Sequence, residues 1–177
     1  MPRVDKIAFW INAYNALTVR LILDHYPLRS IRDIGWLPGA AFRQSFIPMQ
    51  NLRGEPISLD DIEHRVLRAQ FAEPRIHFAL VCAARSCPPL RTEAYRGAVL
   101  AQQLDDQGRN FLGMPTKNRV DRVAGTMYLS PIFKWFRPDF ETDGPLAAFV
   151  APYFDLKAAD VAHFTIEFLD YDWSLNE

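Results

Sequence analysis

The sequence predicts an α+β domain in which a small, mostly antiparallel sheet has helices packed around it. Three observations carry this. Helix-like and strand-like patterns are mixed along the chain without the regular alternation of βαβ units. The strand candidates include two pairs of short runs separated by turn residues, as hairpins are. A chain of 177 residues, 49% of them hydrophobic, can bury one substantial core and is short for two typical domains. Residues 1–177 are therefore read as a single domain.

Residues 5–25 carry the strongest helical pattern. Ile7, Ile11, Tyr14, Leu17 and Leu21 recur at helical spacing, while Phe9, Trp10, Ala13, Ala16 and Val19 widen the apolar surface almost all round, which predicts a buried helix. It should stop where Tyr26 precedes Pro27. Residues 28–45 read as irregular, punctuated by Gly35, Pro38 and Gly39. The runs 46–49 and 56–57, separated by Asn51 and Gly54, predict a short edge hairpin in which proline is tolerated. Ser58-Leu59-Asp60-Asp61 resembles a capping box and opens a helix to about Phe71. Leu59, Ile62, Val66 and Ala69 form its core stripe at 100° per residue, with Glu63 beside the stripe and His64 nearly opposite.

Ile76 to Cys82 is apolar except for His77, and so short a run of β-formers predicts a central strand covered on both faces. Pro88-Pro89 forbids a helix beyond it and sets Cys87 on a stiff loop at the strand's end. A polar helix should begin at Thr92 or Glu93, bury Leu100, Leu104 and Phe111, and end at Gly113-Met114-Pro115. Residues 118–123 and 126–129 read as a hairpin around Gly125. Ser130-Pro131 caps a helix whose aromatic residues belong to the core. Pro145 starts another helix, and 164–169 alternate as a strand.

With 20 basic and 21 acidic residues and a net charge of −1, the chain offers no field for nucleic acid or an anionic membrane surface. No apolar run approaches the length of a membrane-spanning helix, and Met1–Lys6 lack the features of a signal peptide. The expectation is a soluble chain without membrane insertion. Because the first helix begins almost at once, an N-terminal extension of a longer parent protein is expected to be missing. Zinc is disfavoured, since Cys82 and Cys87 form a Cys-x4-Cys pair with no His-x3-His partner. There is no phosphate-binding glycine loop or Gly-x-Ser-x-Gly elbow, so neither a metal nor a cofactor is expected.

Several segments together carry a resemblance: Phe9-Trp10-Ile11-Asn12-Ala13-Tyr14-Asn15-Ala16-Leu17, Asp61-Ile62-Glu63-His64 with Leu67-Arg68, His77-Phe78-Ala79-Leu80-Val81-Cys82 with Ser86-Cys87-Pro88, 129–135, and 171–176. In this order they resemble the domain-of-unknown-function family 547 over nearly the whole chain. The resemblance implies a bacterial or plant setting, extra sequence before the domain, and export of the bacterial parent proteins, to the periplasm for example. It is also similar to the papain-like and transglutaminase-like thiol hydrolases, which implies a cysteine, a histidine and a polar orienting residue.

A thiol nucleophile needs a base within hydrogen-bond reach and a group that orients the base. Cys87 is the first candidate because a loop gives access. Cys82 is read as a core thiol, with a Cys82–Cys87 disulfide as a third arrangement. His77 or His64 is the base, with Glu63, Asn12 or Asn15 as orienting group; His163 and His25 rank behind. Asn12 and Asn15, three apart on one helix face, otherwise tie that helix to a neighbouring loop, and His64 is otherwise a solvated residue. Two functional classes remain open. One is hydrolysis or acyl transfer at an amide or thioester. The other is a non-catalytic domain binding a small molecule, a peptide-like ligand or a protein partner, with Cys82 and Cys87 as a structural or redox-sensitive pair.

Overall fold

The structure is a computed structural model that describes residues 1–37, 39–50 and 56–176. It is α+β and divides into two compact units, Met1–Gln103 with Asp172–Glu177, and Leu104–Tyr171.

The first unit is built on helix α1, Arg3–Asp24. Its buried residues, Ile7, Ala8, Ile11, Tyr14, Asn15, Thr18, Leu21 and Ile22, repeat at three and four and make one continuous face. The helix is not buried all round as its composition suggests. Phe9 is 46% exposed, Val19 40% and Leu23 65%. The short helix α2, Ala40–Arg43, leads to β1, Ile47–Gln50, which pairs antiparallel with β2, Pro56–Ile57. The hairpin is as the sequence predicts; its turn residues Asn51 and Gly54, like Pro38, lie outside the described residues.

Helix α3 covers 59–71, and most of it is π-helical, Asp61–Arg68, before a closing α turn, Ala69–Phe71. Ser58 caps it as predicted: its Oγ accepts from Asp61 N at 3.1 Å, and the Asp61 carboxylate accepts from Ser58 N at 2.9 Å. The π winding corrects the predicted stripe. With five residues between successive carbonyl and amide partners, the buried positions become Leu59, Ile62, Leu67 and Phe71, while Ala69 turns outward.

The expected central strand at Ile76–Cys82 is absent. Ile76–Ala79 form a turn of helix, α4, and the backbone becomes extended only at Leu80. The run is buried as far as Val81, as its composition requires, but Asn15 supplies the partner that a neighbouring strand would. Its Oδ1 accepts from Val81 N at 3.0 Å and its Nδ2 donates to Ala79 O at 2.9 Å. Burial of so short a run is compatible with either backbone state.

The predicted helix start at Thr92 or Glu93 is also corrected. A 3-10 turn, Gly97–Val99, precedes helix α5, Leu100–Leu112. Upstream, the backbone is taken by side chains: Asn12 pairs with both backbone groups of Tyr95, and Gln103 with Arg96 N and Ala94 O. Gly97 lies so close to α1 that a Cβ there would sit 2.9 Å from Asp5 N.

The second unit holds a three-stranded sheet, β3 (Arg119–Asp121), β4 (Thr126–Leu129) and β5 (Thr165–Phe168), in that order. β3 and β4 are the predicted antiparallel hairpin, whereas β5 runs parallel to β4 with Met127 opposite Ile166. A parallel return needs a long crossover. Here it contains the short helices α6 (Ile132–Trp135), α7 (Arg137–Phe140) and α8 (Leu146–Val150). Their aromatic rings run in series, Phe133 to Phe140 at 4.8 Å and Phe140 to Phe149 at 5.2 Å between centroids. The expected aromatic core is present at Phe133, which is 0% exposed, whereas Trp135 stays 46% exposed.

Candidate thiol site

Four elements of the first unit contribute to one cluster. α1 brings Tyr14, α3 brings Glu63, α4 brings His77, and the turn that follows brings Cys82 and Cys87. The Tyr14 hydroxyl donates to Glu63 Oε2 at 3.2 Å. The other oxygen, Oε1, stands 3.9 Å from His77 Nδ1, with the His77 side chain 1% and the Glu63 side chain 12% exposed. Burial first, and then the negative charge of Glu63 and of the two thiol groups when ionised, push the Tyr14 hydroxyl well above the ordinary phenol range. It therefore stays protonated and serves as a donor.

Both cysteines are free thiols. Cys87 is 2% exposed, and its Sγ accepts from Cys82 N at 2.7 Å. Cys82 is half-buried. Exposure is thus the reverse of the sequence reading, which set Cys87 in the open and Cys82 in the core. The reason is the turn between them. Ala83 takes φ 58°, a left-handed conformation that costs about 1–2 kcal/mol in a residue with a Cβ. It bends the chain so that Cys87 N bonds back to Ala84 O at 3.0 Å.

The C-terminal segment straps this turn. Arg85 N donates to Ser174 O, Ser86 N to Asp172 O and Asn176 N to Ala83 O, and Asp172 N donates to Ser86 Oγ at 2.9 Å. The same segment is anchored to residues 29–32, where Leu175 N donates to Arg29 O, Ser30 Oγ to Trp173 O, and the Arg32 guanidinium lies over the Trp173 ring. Backbone strain beside a thiol is thus held by hydrogen bonds remote in sequence.

Of the residues singled out in the sequence, Glu63, His77, Cys82 and Cys87 belong to this cluster. Asn15 braces it through Val81 N, one residue before Cys82, and Asn12 pairs with the Tyr95 backbone. His64 joins other groups. Its Nδ1 lies 2.9 Å from Arg68 Nη1 and its Nε2 3.8 Å from Asp60 Oδ1. It lines a cleft of about 650 Å³ with Arg43, Ser45, Ser58 and Asp60. Burial raises Asp60 from the ordinary carboxylate value, against the pull of His64 and Arg43. Sequence reasoning assigned Tyr14 to the core alone. The signal for more was its hydroxyl, which needs a partner when buried.

Among the described residues no group of three or more His, Cys, Asp or Glu side chains could hold a metal ion. No helix among them is long and apolar enough to cross a membrane.

Fold and cluster together define an α+β protein with a thiol pair set beside a Tyr–Glu–His chain. Its lineage agrees with the motifs that carry those residues: residues 1–112 match the family of proteins of unknown function DUF547, and the chain belongs to that family. The matched region contains Tyr14, Glu63, His77 and both cysteines, and ends before the segments 129–135 and 171–176 that also carry the resemblance. No curated protein and no solved structure matches the chain.

Proposed function

We propose that the protein is a thiol-dependent hydrolase or acyltransferase acting on an amide or thioester. The observation that carries this reading is the chain from Tyr14 through Glu63 to His77, with Cys82 and Cys87 on the turn that follows α4. Glu63 Oε1 sets a carboxylate 3.9 Å from the Nδ1 side of the imidazole, which leaves Nε2 as the nitrogen for proton transfer. Cys82 is the attacking sulfur because it is the more exposed of the two, and Cys87 is its neighbour in the same turn.

In the reaction, His77 takes the thiol proton as the sulfur adds to the acyl carbon. Collapse of the tetrahedral intermediate breaks the C–N or C–S bond, and His77 returns the proton to the leaving amine or thiol. Water then releases the acid from the acyl-enzyme, or a second nucleophile takes the acyl group.

A second reading is a non-catalytic domain that binds a small molecule, a peptide-like ligand or a protein, with the cysteines as a structural or redox-sensitive pair. The burial of Cys87 and its contact with Cys82 N favour it. That contact keeps the two Cα atoms within about 7 Å, the outer limit for a disulfide. Export of the parent protein, which the family resemblance implies, would place the pair where such bonds persist.

Iodoacetamide labelling across pH, mapped to each cysteine with and without prior reduction, separates the readings. It is paired with hydrolysis of a simple acyl thioester by the wild type, His77→Gln and Glu63→Gln. Fast labelling of Cys82 well below about pH 8.5, with turnover lost in His77→Gln, supports the enzyme. Fast labelling of Cys87 alone transfers the nucleophile to that residue. Slow labelling of both overturns the catalytic reading, and labelling only after reduction establishes the disulfide.

A further inference from the structure

A second cleft in the first unit holds donors without acceptors. It lies between α1 and the segment 90–95, encloses about 510 Å³, and is lined by Asn12, Ala16, Val19, Leu90, Arg91 and Tyr95 among others. This volume is within the range of small-molecule sites. Its floor and rim are apolar: Val19 is 40% and Leu90 52% exposed, and Ala16 is exposed as well.

Its polar end is Arg91. The side chain is 18% exposed, and its Nε is shut from solvent with no hydrogen-bond partner among the described residues. The remaining bonds are long, Nη1 to Gln103 O at 3.4 Å and Nη2 to Glu93 Oε2 at 3.3 Å. Among the described residues the guanidinium is thus held by two long bonds alone. Beneath it, with the guanidinium carbon 5.9 Å from the ring centroid, Tyr95 is 4% exposed and its hydroxyl also lacks a partner. Asn12 holds the Tyr95 backbone in place. Buried donors of this kind are ordinarily paired.

We propose that this cleft binds a small monocarboxylate with an apolar body, whose carboxylate takes the place of the Glu93 carboxylate on Nη2 of Arg91 while the body lies along Ala16, Val19 and Leu90. A guanidinium holds a carboxylate through short, charge-assisted N–H···O bonds. Glu93 now occupies part of that position. Its side chain is 66% exposed, so it can swing into water and release Nη2. A single arginine suits one negative charge better than a phosphate dianion. The site needs neither thiol, so it stands independently of the catalytic reading.

Calorimetric titration of the whole protein with octanoate, octanamide and inorganic phosphate tests this. Octanoate should saturate, with octanamide at least about tenfold weaker because it cannot pair with the guanidinium. Arg91→Gln should weaken octanoate at least about tenfold, and Arg91→Lys should restore part of the loss, since an ammonium keeps the charge without the planar guanidinium. Glu93→Gln should tighten octanoate about threefold by removing the resident carboxylate. Ala16→Trp, at an exposed position, should block the cleft in a folded protein even if Arg91 variants fail to fold. Equal binding of octanoate and octanamide, no saturation by octanoate, or unchanged affinity in both Glu93→Gln and Ala16→Trp overturns the proposal. So does binding confined to phosphate.

Discussion

Glu63 uses its two carboxylate oxygens on different partners, accepting from the Tyr14 hydroxyl at 3.2 Å and facing His77 Nδ1 at 3.9 Å. Tyr14→Phe removes the donor with little change of volume. A hydrogen bond to a charged acceptor contributes about 2 kcal/mol, so urea denaturation should show a loss near that size. On the catalytic reading, thioester hydrolysis should fall about tenfold, with its pH profile displaced, because Glu63 then orients His77 less firmly. An unchanged pH profile would leave Tyr14 a structural residue.

Asn15 stands in for a strand. Its amide bonds Ala79 O and Val81 N, and the residue is 6% exposed. Asn15→Leu should cost about 3 kcal/mol, because two buried backbone groups lose their partners together. Hydrogen exchange at the Val81 amide, measured against the wild type, should accelerate more than exchange in α5.

Ser86 Oγ accepts the amide of Asp172, which ties the thiol turn to the C-terminal strap. Ser86→Ala should cost at most about 1 kcal/mol of global stability. It should raise the iodoacetamide labelling rate of Cys87 several-fold, since the turn that covers it is loosened. Leu175→Pro, which removes the amide bound to Arg29 O, should do the same more strongly. Equal labelling rates in both variants would show that the turn holds itself.

The cap of α3 sets a pH dependence. Burial acts to raise Asp61, but bonds from the Ser58 amide and hydroxyl, with the charge of Arg65, outweigh it and leave the carboxyl below its ordinary value. A carboxylate depressed on folding contributes stability above its unfolded value, about 3.9, and that contribution is lost as pH falls through the folded value. Ser58→Ala should therefore destabilise near neutrality, by about 1 kcal/mol for a lost cap. The difference from wild type should shrink as pH falls below the unfolded carboxylate value of about 3.9. Stability measured from neutral to acid pH checks both the size and the sign.

Local chemistry was legible wherever it acts between neighbours in sequence. The capping of α3 by Ser58, the hairpin of β3 and β4, and the break at Pro27 each depend on residues a few positions apart. The candidate site was legible as residue types, since Glu63, His77, Cys82 and Cys87 all stood out. Their ranking was not, because the exposure of a thiol depends on how the chain bends at Ala83 and what lies over it.

The sequence by itself determined that the chain is α+β, where its longest helix runs, and that Ile76 to Val81 is buried. These follow from periodicity, proline and glycine, and the removal of apolar side chains from water. Only the tertiary structure decided that this buried run is a turn of helix and an extended stretch, that α3 winds as a π-helix, and that α1 keeps Phe9, Val19 and Leu23 in water. It also decided that Cys82 is the more open thiol. Burial constrains which side chains leave water, but backbone state and exposure depend on which distant groups complete the hydrogen bonds. Here those groups are Asn15 and the strap from Asp172 to Asn176, partners 64 and more residues away along the chain.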